Sequence, residues 1–193
     1  MRIKEVLTGA VASAVLMLVC SCGTTAAIKD PLPVGKCTDA PSGGGWLNLL
    51  DADHAAARKN TTDDKDIFEI KDGMLHIFGK SLHPLRYAGY TAEKFGDFDL
   101  HVEFKVTKRA NSGIFIRAPR EGNPAFEGSE IQVLDDAGPI YPAMNLQPYQ
   151  YCGSIYSTVA PERRVSRPAG EWQKMQIRAE GQNVSVTLNG SPI

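Results

Sequence analysis

GDFDLHVEFKVTKRANSGIFIRAPREGNPAFEGSEIQVLD, Gly96–Asp135, carries three strand patterns in succession. Over Asp97–Val106 the apolar set is Phe98, Leu100, Val102, Phe104 and Val106, and the alternates are Asp97, Asp99, His101, Glu103 and Lys105. A period of two over this length is the signature of a half-buried strand. Thr107–Ala110 is a polar turn, and Asn111-Ser112-Gly113 leads into Ile114–Ala118, where Ile114 and Ile116 oppose Phe115 and Arg117. After a loop rich in Gly and Pro, Ser129–Leu134 sets Ile131 and Val133 against Glu130, Gln132 and Leu134. Residues two apart on a strand stand roughly 7 Å apart on one face. A carboxylate, an amide and a guanidinium can thus converge on one sheet surface.

Working outward, Trp46–Leu50 reads as an edge strand. Ile67–Ile70 and Met74–Phe78 flank Lys71-Asp72-Gly73, and Asp-Gly between alternating apolar runs signals a hairpin. Leu85–Thr91 is a further short strand, and Ser154–Val159 another candidate. Glu171–Ala179 alternates Met175, Ile177 and Ala179 with Lys174, Gln176 and Arg178, and Val184, Val186 and Leu188 give the next strand. Pro139–Tyr151 is long and irregular, with tyrosines suited either to sugar faces or to packing the loop down. Roughly nine strands at short spacing, with no long helix, predict an all-β sandwich. Asn189-Gly190 promises a last hairpin, yet only Ser191, Pro192 and Ile193 follow, too few for a returning strand. The reading is therefore a sandwich truncated at its C-terminus, with an unpaired edge.

The start of the chain reads as an export signal over residues 1–21. Arg2 and Lys4 precede an apolar run, Val6–Val19, too short to span a bilayer comfortably. Val19-Cys20-Ser21-Cys22 resembles a bacterial lipoprotein signal, with Cys22 as the lipidated residue, and an ordinary cleaved signal is the alternative. Either exports the protein, and the first places it on a bacterial membrane through a lipid anchor. Residues 22–45, rich in Thr, Ala, Pro, Ser and Gly, read as a tether, and 46–193 as one domain. Cys37 and Cys152 then remain, either paired or as separate thiols.

The 193 residues carry a net charge of −1 without a basic stripe, so nucleic acid is not an expected partner. Oligomeric state is left open. His54, His76, His83 and His101 show no zinc spacing, and Asp63-Asp64-Lys65-Asp66 is a candidate calcium cluster whose simpler reading is a solvated turn. No nucleophile elbow or phosphate loop is present. The sequence requires no cofactor and leaves room for a divalent metal.

NSGIFIRAP and EIQVLDD, preceded by GDFDLHVEF, resemble the 3-keto-disaccharide hydrolase domain family. GWLNLLD (45–51), IKDGMLHI (70–77), GSIYSTVAP (153–161) and PAGEWQKMQIRAEGQNVSVTLNG (168–190) extend the resemblance over nearly everything after residue 45. It implies a jelly roll of the concanavalin or laminin-G kind with a carbohydrate on one sheet face. It also implies cleavage of the glycosidic bond of a sugar oxidised at C3, by hydrolysis or elimination. A C3 ketone acidifies the C2 proton, a base removes it, and the enolate expels the group on C1. Glu130 or His101 is the expected base. Arg117, Gln132 and Asn111 form the expected clamp, Glu103 shares the surface if its strand pairs with 114–118, and Asp135 orients Arg117 or binds ligand. The same fold also serves lectins, so a non-catalytic glycan-binding module is the alternative.

Overall fold

The computed structural model describes residues 2–5, 17–20, 45–51, 58–60, 68–77, 87–90, 93–119 and 123–193. Two antiparallel sheets face each other across one core. The first has six strands in the order β13-β12-β11-β8-β1-β3. Its members are β1 (Arg2–Glu5), β3 (Trp46–Asn48), β8 (Phe98–Lys105), β11 (Trp172–Glu180), β12 (Asn183–Leu188) and β13 (Ser191–Pro192). The second has five in the order β10-β9-β2-β7-β4. They are β2 (Met17–Cys20), β4 (Arg58–Asn60), β7 (Tyr87–Tyr90), β9 (Asn111–Ile116) and β10 (Ser129–Leu134). A separate hairpin joins β5 (Phe68–Lys71) to β6 (Met74–Ile77).

The alternation of each long strand decides which side it buries. Phe98, Leu100 and Val102 of β8, Met175, Ile177 and Ala179 of β11, and Val186 and Leu188 of β12 meet Ile114, Ile116, Ile131 and Val133 of the second sheet in one cluster. Burying one such aliphatic side chain contributes about 1.5–3 kcal/mol. The all-β sandwich read from the sequence is the architecture observed.

Several local expectations are corrected. β8 does not pair with β9 but with β11 and β1, so consecutive strands lie in opposite sheets. The reason is the Thr107–Ala110 turn. Arg109 adopts φ +64 there, its N–H donates to Asp135 Oδ2 (2.8 Å), and Asp135 N donates to Ala110 O (3.0 Å). This is a corner between sheets rather than a hairpin. Ser154–Val159 is not a strand and makes only isolated bridges, Ile131↔Ile155 and Ile155↔Val159. The last hairpin does return: Thr187↔Pro192 and Leu188↔Ser191 pair across Asn189-Gly190. The pair sits at φ +51 and +83, the left-handed conformation a tight turn needs.

β1 and β2 fall inside the stretch read as an export signal. β1 runs between β8 and β3, and β2 between β9 and β7. Residues 22–44 of the tether, Cys22 and Cys37 among them, and His54, Asp63–Asp66 and His83 lie outside the described residues.

Candidate active site

The site lies on the face of the five-stranded sheet turned away from the core. β10 and β9 pair in register Glu130↔Phe115, Ile131↔Ile114, Gln132↔Gly113 and Leu134↔Asn111. Directly opposed residues share a face. Because Ile131 and Ile114 are in the core, Glu130 and Gln132 stand outward beside Phe115, Gly113 and Asn111.

Gly113 is the floor under the Glu130 carboxyl. A Cβ at that position would lie 2.1 Å from Glu130 Oε1 and 2.8 Å from its Cδ. Any side chain there would evict the carboxylate, which accounts for the glycine in Asn111-Ser112-Gly113. Burial alone pushes the Glu130 carboxyl up to about 7. A carboxyl so placed is shared between acid and base forms near neutral pH, the condition in which general acid–base catalysis is most effective.

Gln132 is 3% exposed. Its Nε2 donates to Asn111 Oδ1 (3.3 Å) and to Gln150 O (3.4 Å). Its Oε1 is buried without a donor among the described residues. The amide is held in place by two acceptors and keeps one acceptor of its own unused.

The segment 149–156 closes the free edge of β10. Gly153 N donates to Gln132 O (2.8 Å), Gln132 N to Ser154 O (3.0 Å) and Tyr156 N to Glu130 O (2.9 Å). Tyr149 and Tyr156 meet edge to face at 6.0 Å, and Gln150 Nε2 donates to the Tyr156 hydroxyl (3.1 Å). Tyr151 lies under the Arg164 guanidinium at 4.0 Å, and Tyr141 donates to Arg109 O (2.9 Å). The aromatic loop is thus packed down, with Tyr156 its exposed ring.

Tyr87, which the sequence did not single out as a site residue, belongs to the same face. Register runs Tyr87↔Val19↔Gly113↔Gln132 across four strands. Its ring meets Phe115 edge-on at 5.7 Å. Its hydroxyl donates to Asn123 Oδ1 (2.9 Å), which also accepts from Ala125 N (3.0 Å) and caps the helical turn Pro124–Glu127. Burial first, and then the nearby Glu130 charge, raise the Tyr87 phenol above its ordinary value. Tyr-Ala-Gly-Tyr is buried at every position and shows no alternation, so pattern reading has nothing to separate its faces.

The other expected site residues are not brought to Glu130. Arg117 follows the end of β9 at φ +55, which breaks the alternation that would have aimed it at Glu130. Its guanidinium donates to Gly181 O in the turn between β11 and β12, on the opposite sheet, while Nε is buried without a partner among the described residues. His101 and Glu103 alternate with core residues of β8, so they occupy the outer face of the six-stranded sheet. The core layer separates them from Glu130. His101 Nε2 lies 3.7 Å from Glu103 Oε1, and burial lowers the imidazole below its usual range against the opposing pull of Glu103. Asp135 is taken up by the corner turn described above. Its carboxylate also crowds Gly138, where a Cβ would meet both oxygens at 3.0 Å.

Cys152 is a buried free thiol. Its N–H donates to Asp136 Oδ2 (2.9 Å), and burial, then Asp136, push the thiol up to about 12. At neutral pH it is no nucleophile. Among the described residues, no three His, Cys, Asp or Glu side chains gather as a metal-ligand set.

A carboxyl poised near neutrality, an anchored amide and a phenol thus share one sandwich face. The family model described as the 3-keto-alpha-glucoside-1,2-lyase-like domain matches residues 44–193, and the chain belongs to that family. It is similar to a 3-keto-disaccharide hydrolase of Bacteroides thetaiotaomicron, 32% identical over 97 residues, which are 45% of this chain and 33% of that protein. The chain thus spans about a third of the length of that relative. Among solved structures, one candidate glycosyl hydrolase of Parabacteroides distasonis is 22% identical at a TM-score of 0.58, over 75% of this chain and 68% of that one. That likeness concerns the fold. A second from the same organism is 31% identical at a TM-score of 0.46, over 49% of this chain and 48% of the other.

Proposed function

We propose that the protein cleaves the glycosidic bond of 3-keto-glycosides, with Glu130 as the base. The observation that carries this reading is the Glu130 carboxyl, pushed up to about 7 and seated over Gly113. The family membership supports carbohydrate chemistry of this class.

The C2 proton of a 3-keto sugar is acidic because the carbanion is delocalised into the C3 carbonyl. Glu130 takes that proton, and the C2–H electron pair forms the enolate. When the ketone re-forms, a C1=C2 double bond appears and the C1–O bond to the leaving group breaks. Addition of water across C1=C2 then gives the hydrolysis product. The unused Gln132 Oε1 is suited to accept from a sugar hydroxyl, and the Asn111 contact fixes the amide that presents it. Phe115 and Tyr87 are buried together on the same face.

Turnover of 3-keto-glucosides tests the reading. Appearance of the unsaturated or hydrated 3-keto sugar supports it. Retention on glycan columns without turnover replaces it by a glycan-binding module.

The protein is also proposed to be exported and anchored by lipid on Cys22. The support is the basic, apolar and Ser-Cys sequence at the start of the chain.

A further inference from the structure

The chemistry proposed above leaves one requirement open. When C1–O breaks, the departing oxygen carries the electron pair. An alkoxide is a poor leaving group, so a sugar or alkyl alcohol needs a proton as it leaves. Glu130 is occupied, since it has just accepted the C2 proton.

The structure holds a second proton-bearing group on the same face. Tyr87 shares a transverse row with Gly113 and Gln132, and its ring packs edge-on against Phe115 at 5.7 Å, the residue directly opposite Glu130. The site is therefore flanked by Glu130 on β10 and by Tyr87 on β7, with β9 and β2 between them. The ring is fixed: the residue is 4% exposed and its hydroxyl is aimed by Asn123 Oδ1 at 2.9 Å. Asn123 is itself fixed as the cap of Pro124–Glu127.

We propose that Tyr87 is the general acid that protonates the leaving-group oxygen, resting on the reading of Glu130 as the base. In the step, Glu130 carboxylate becomes a carboxylic acid by taking the C2 proton. The C1–O bond breaks, and its electron pair forms a bond to the Tyr87 proton, releasing a neutral alcohol and leaving a phenolate. The leaving oxygen replaces Asn123 Oδ1 as the acceptor of the Tyr87 O–H. Glu130 then gives its proton to water and the phenolate takes one from water, which restores both groups. No oxidant, reductant or further reactant is consumed: the alcohol leaves with the Tyr87 proton, and the C2 proton passes through Glu130 to solvent.

Reprotonation of the phenolate is downhill in this site. Burial and the Glu130 charge hold the phenol above its usual range, whereas the carboxyl titrates at about 7. The phenolate is therefore the stronger base of the two, and it takes up a proton while the Glu130 carboxyl can release one near neutral pH.

The test compares two leaving groups. A 3-keto nitrophenyl glucoside departs as a stabilised anion and needs no acid, whereas a 3-keto methyl glucoside departs as an alkoxide unless protonated. Tyr87→Phe keeps the ring and removes the proton. Its kcat/KM is expected to fall about 10²–10⁴-fold on the methyl glucoside and to stay near wild type on the nitrophenyl glucoside. Equal losses on both would make Tyr87 a packing residue and overturn the proposal while sparing Glu130. Wild-type protein inert toward both substrates would overturn the proposal together with the function on which it rests. If Tyr87→Phe does not fold, fluorotyrosine at position 87 replaces it. A changed rate confined to the methyl glucoside supports the proposal, and unchanged rates on both overturn it.

Discussion

Glu130 Oε1 occupies the space that a Cβ on Gly113 would need, at 2.1 Å. The two residues meet because Gly113 faces Gln132 across the β9–β10 ladder and Glu130 is two residues further along. Gly113→Ala should therefore displace the carboxyl without touching it chemically. Overpacking of this kind costs about 1–3 kcal/mol. Turnover is expected to fall at least about tenfold, a small change for a displaced general base, with binding of an unreactive analogue largely kept. Wild-type turnover in Gly113→Ala would show that the carboxyl position is not critical.

The acidity of Glu130 gives a pH signature in both rate and stability. The rate should rise with pH through about 7 as the carboxylate forms. Stability runs the other way. Between the ordinary value of 4.5 and about 7, the folded carboxyl keeps a proton that the unfolded one has released. Raising pH through that window therefore weakens the fold. Glu130→Gln should melt higher than wild type at pH above 7, with the gap shrinking as pH falls through that window and closed below 4.5. Each kcal/mol corresponds to roughly 2–4 °C in a chain of this size. Melting curves at several pH values check it, and a pH-independent gap would refute the assignment.

Arg117 offers a separate test of the fold. Its left-handed backbone at φ +55 is strained for a side chain, and its guanidinium ties the end of β9 to Gly181 across the sandwich. Arg117→Ala loses the tie and keeps the strain. Arg117→Gly loses the tie and relieves about 1 kcal/mol of strain. The glycine variant should melt higher than the alanine variant by roughly 2–4 °C. The reverse order would contradict the backbone assignment.

Period-two alternation placed the inward and outward faces of β8, β9, β10, β11 and β12, because a sheet buried on one side forces that pattern on its residues. It could not name the partner of each strand. Glu103 and Glu130 alternate alike, yet the corner at Arg109 sends them to opposite sheets. Arg117 failed for a related reason, since one left-handed residue ends the alternation. Tyr87 was invisible as a site residue because β7 is buried at all four positions. The apolar run before Cys20 reads equally as a signal segment or as a strand, and Met17–Cys20 is paired on both sides.

That double reading is testable. Removal of residues 1–21 as a signal takes β1 and β2 out of the sheets they occupy. A chain starting at Cys22 is expected to melt lower than the full chain, and equal melting temperatures would mean the two strands contribute nothing. Labelling with a fatty-acid analogue should be lost in Cys22→Ala. Labelling that persists, or follows Cys20, would defeat the lipid assignment.

The most direct test of the account is turnover of a 3-keto-glucoside by wild type, Glu130→Gln and His101→Ala side by side. Glu130→Gln keeps the shape and removes the base, so its rate should fall about 10²–10⁴-fold. His101 lies on the outer face of the other sheet, and His101→Ala should turn over substrate at the wild-type rate. A Glu130→Gln protein with wild-type turnover, or a His101→Ala protein without any, would contradict the site on β9 and β10.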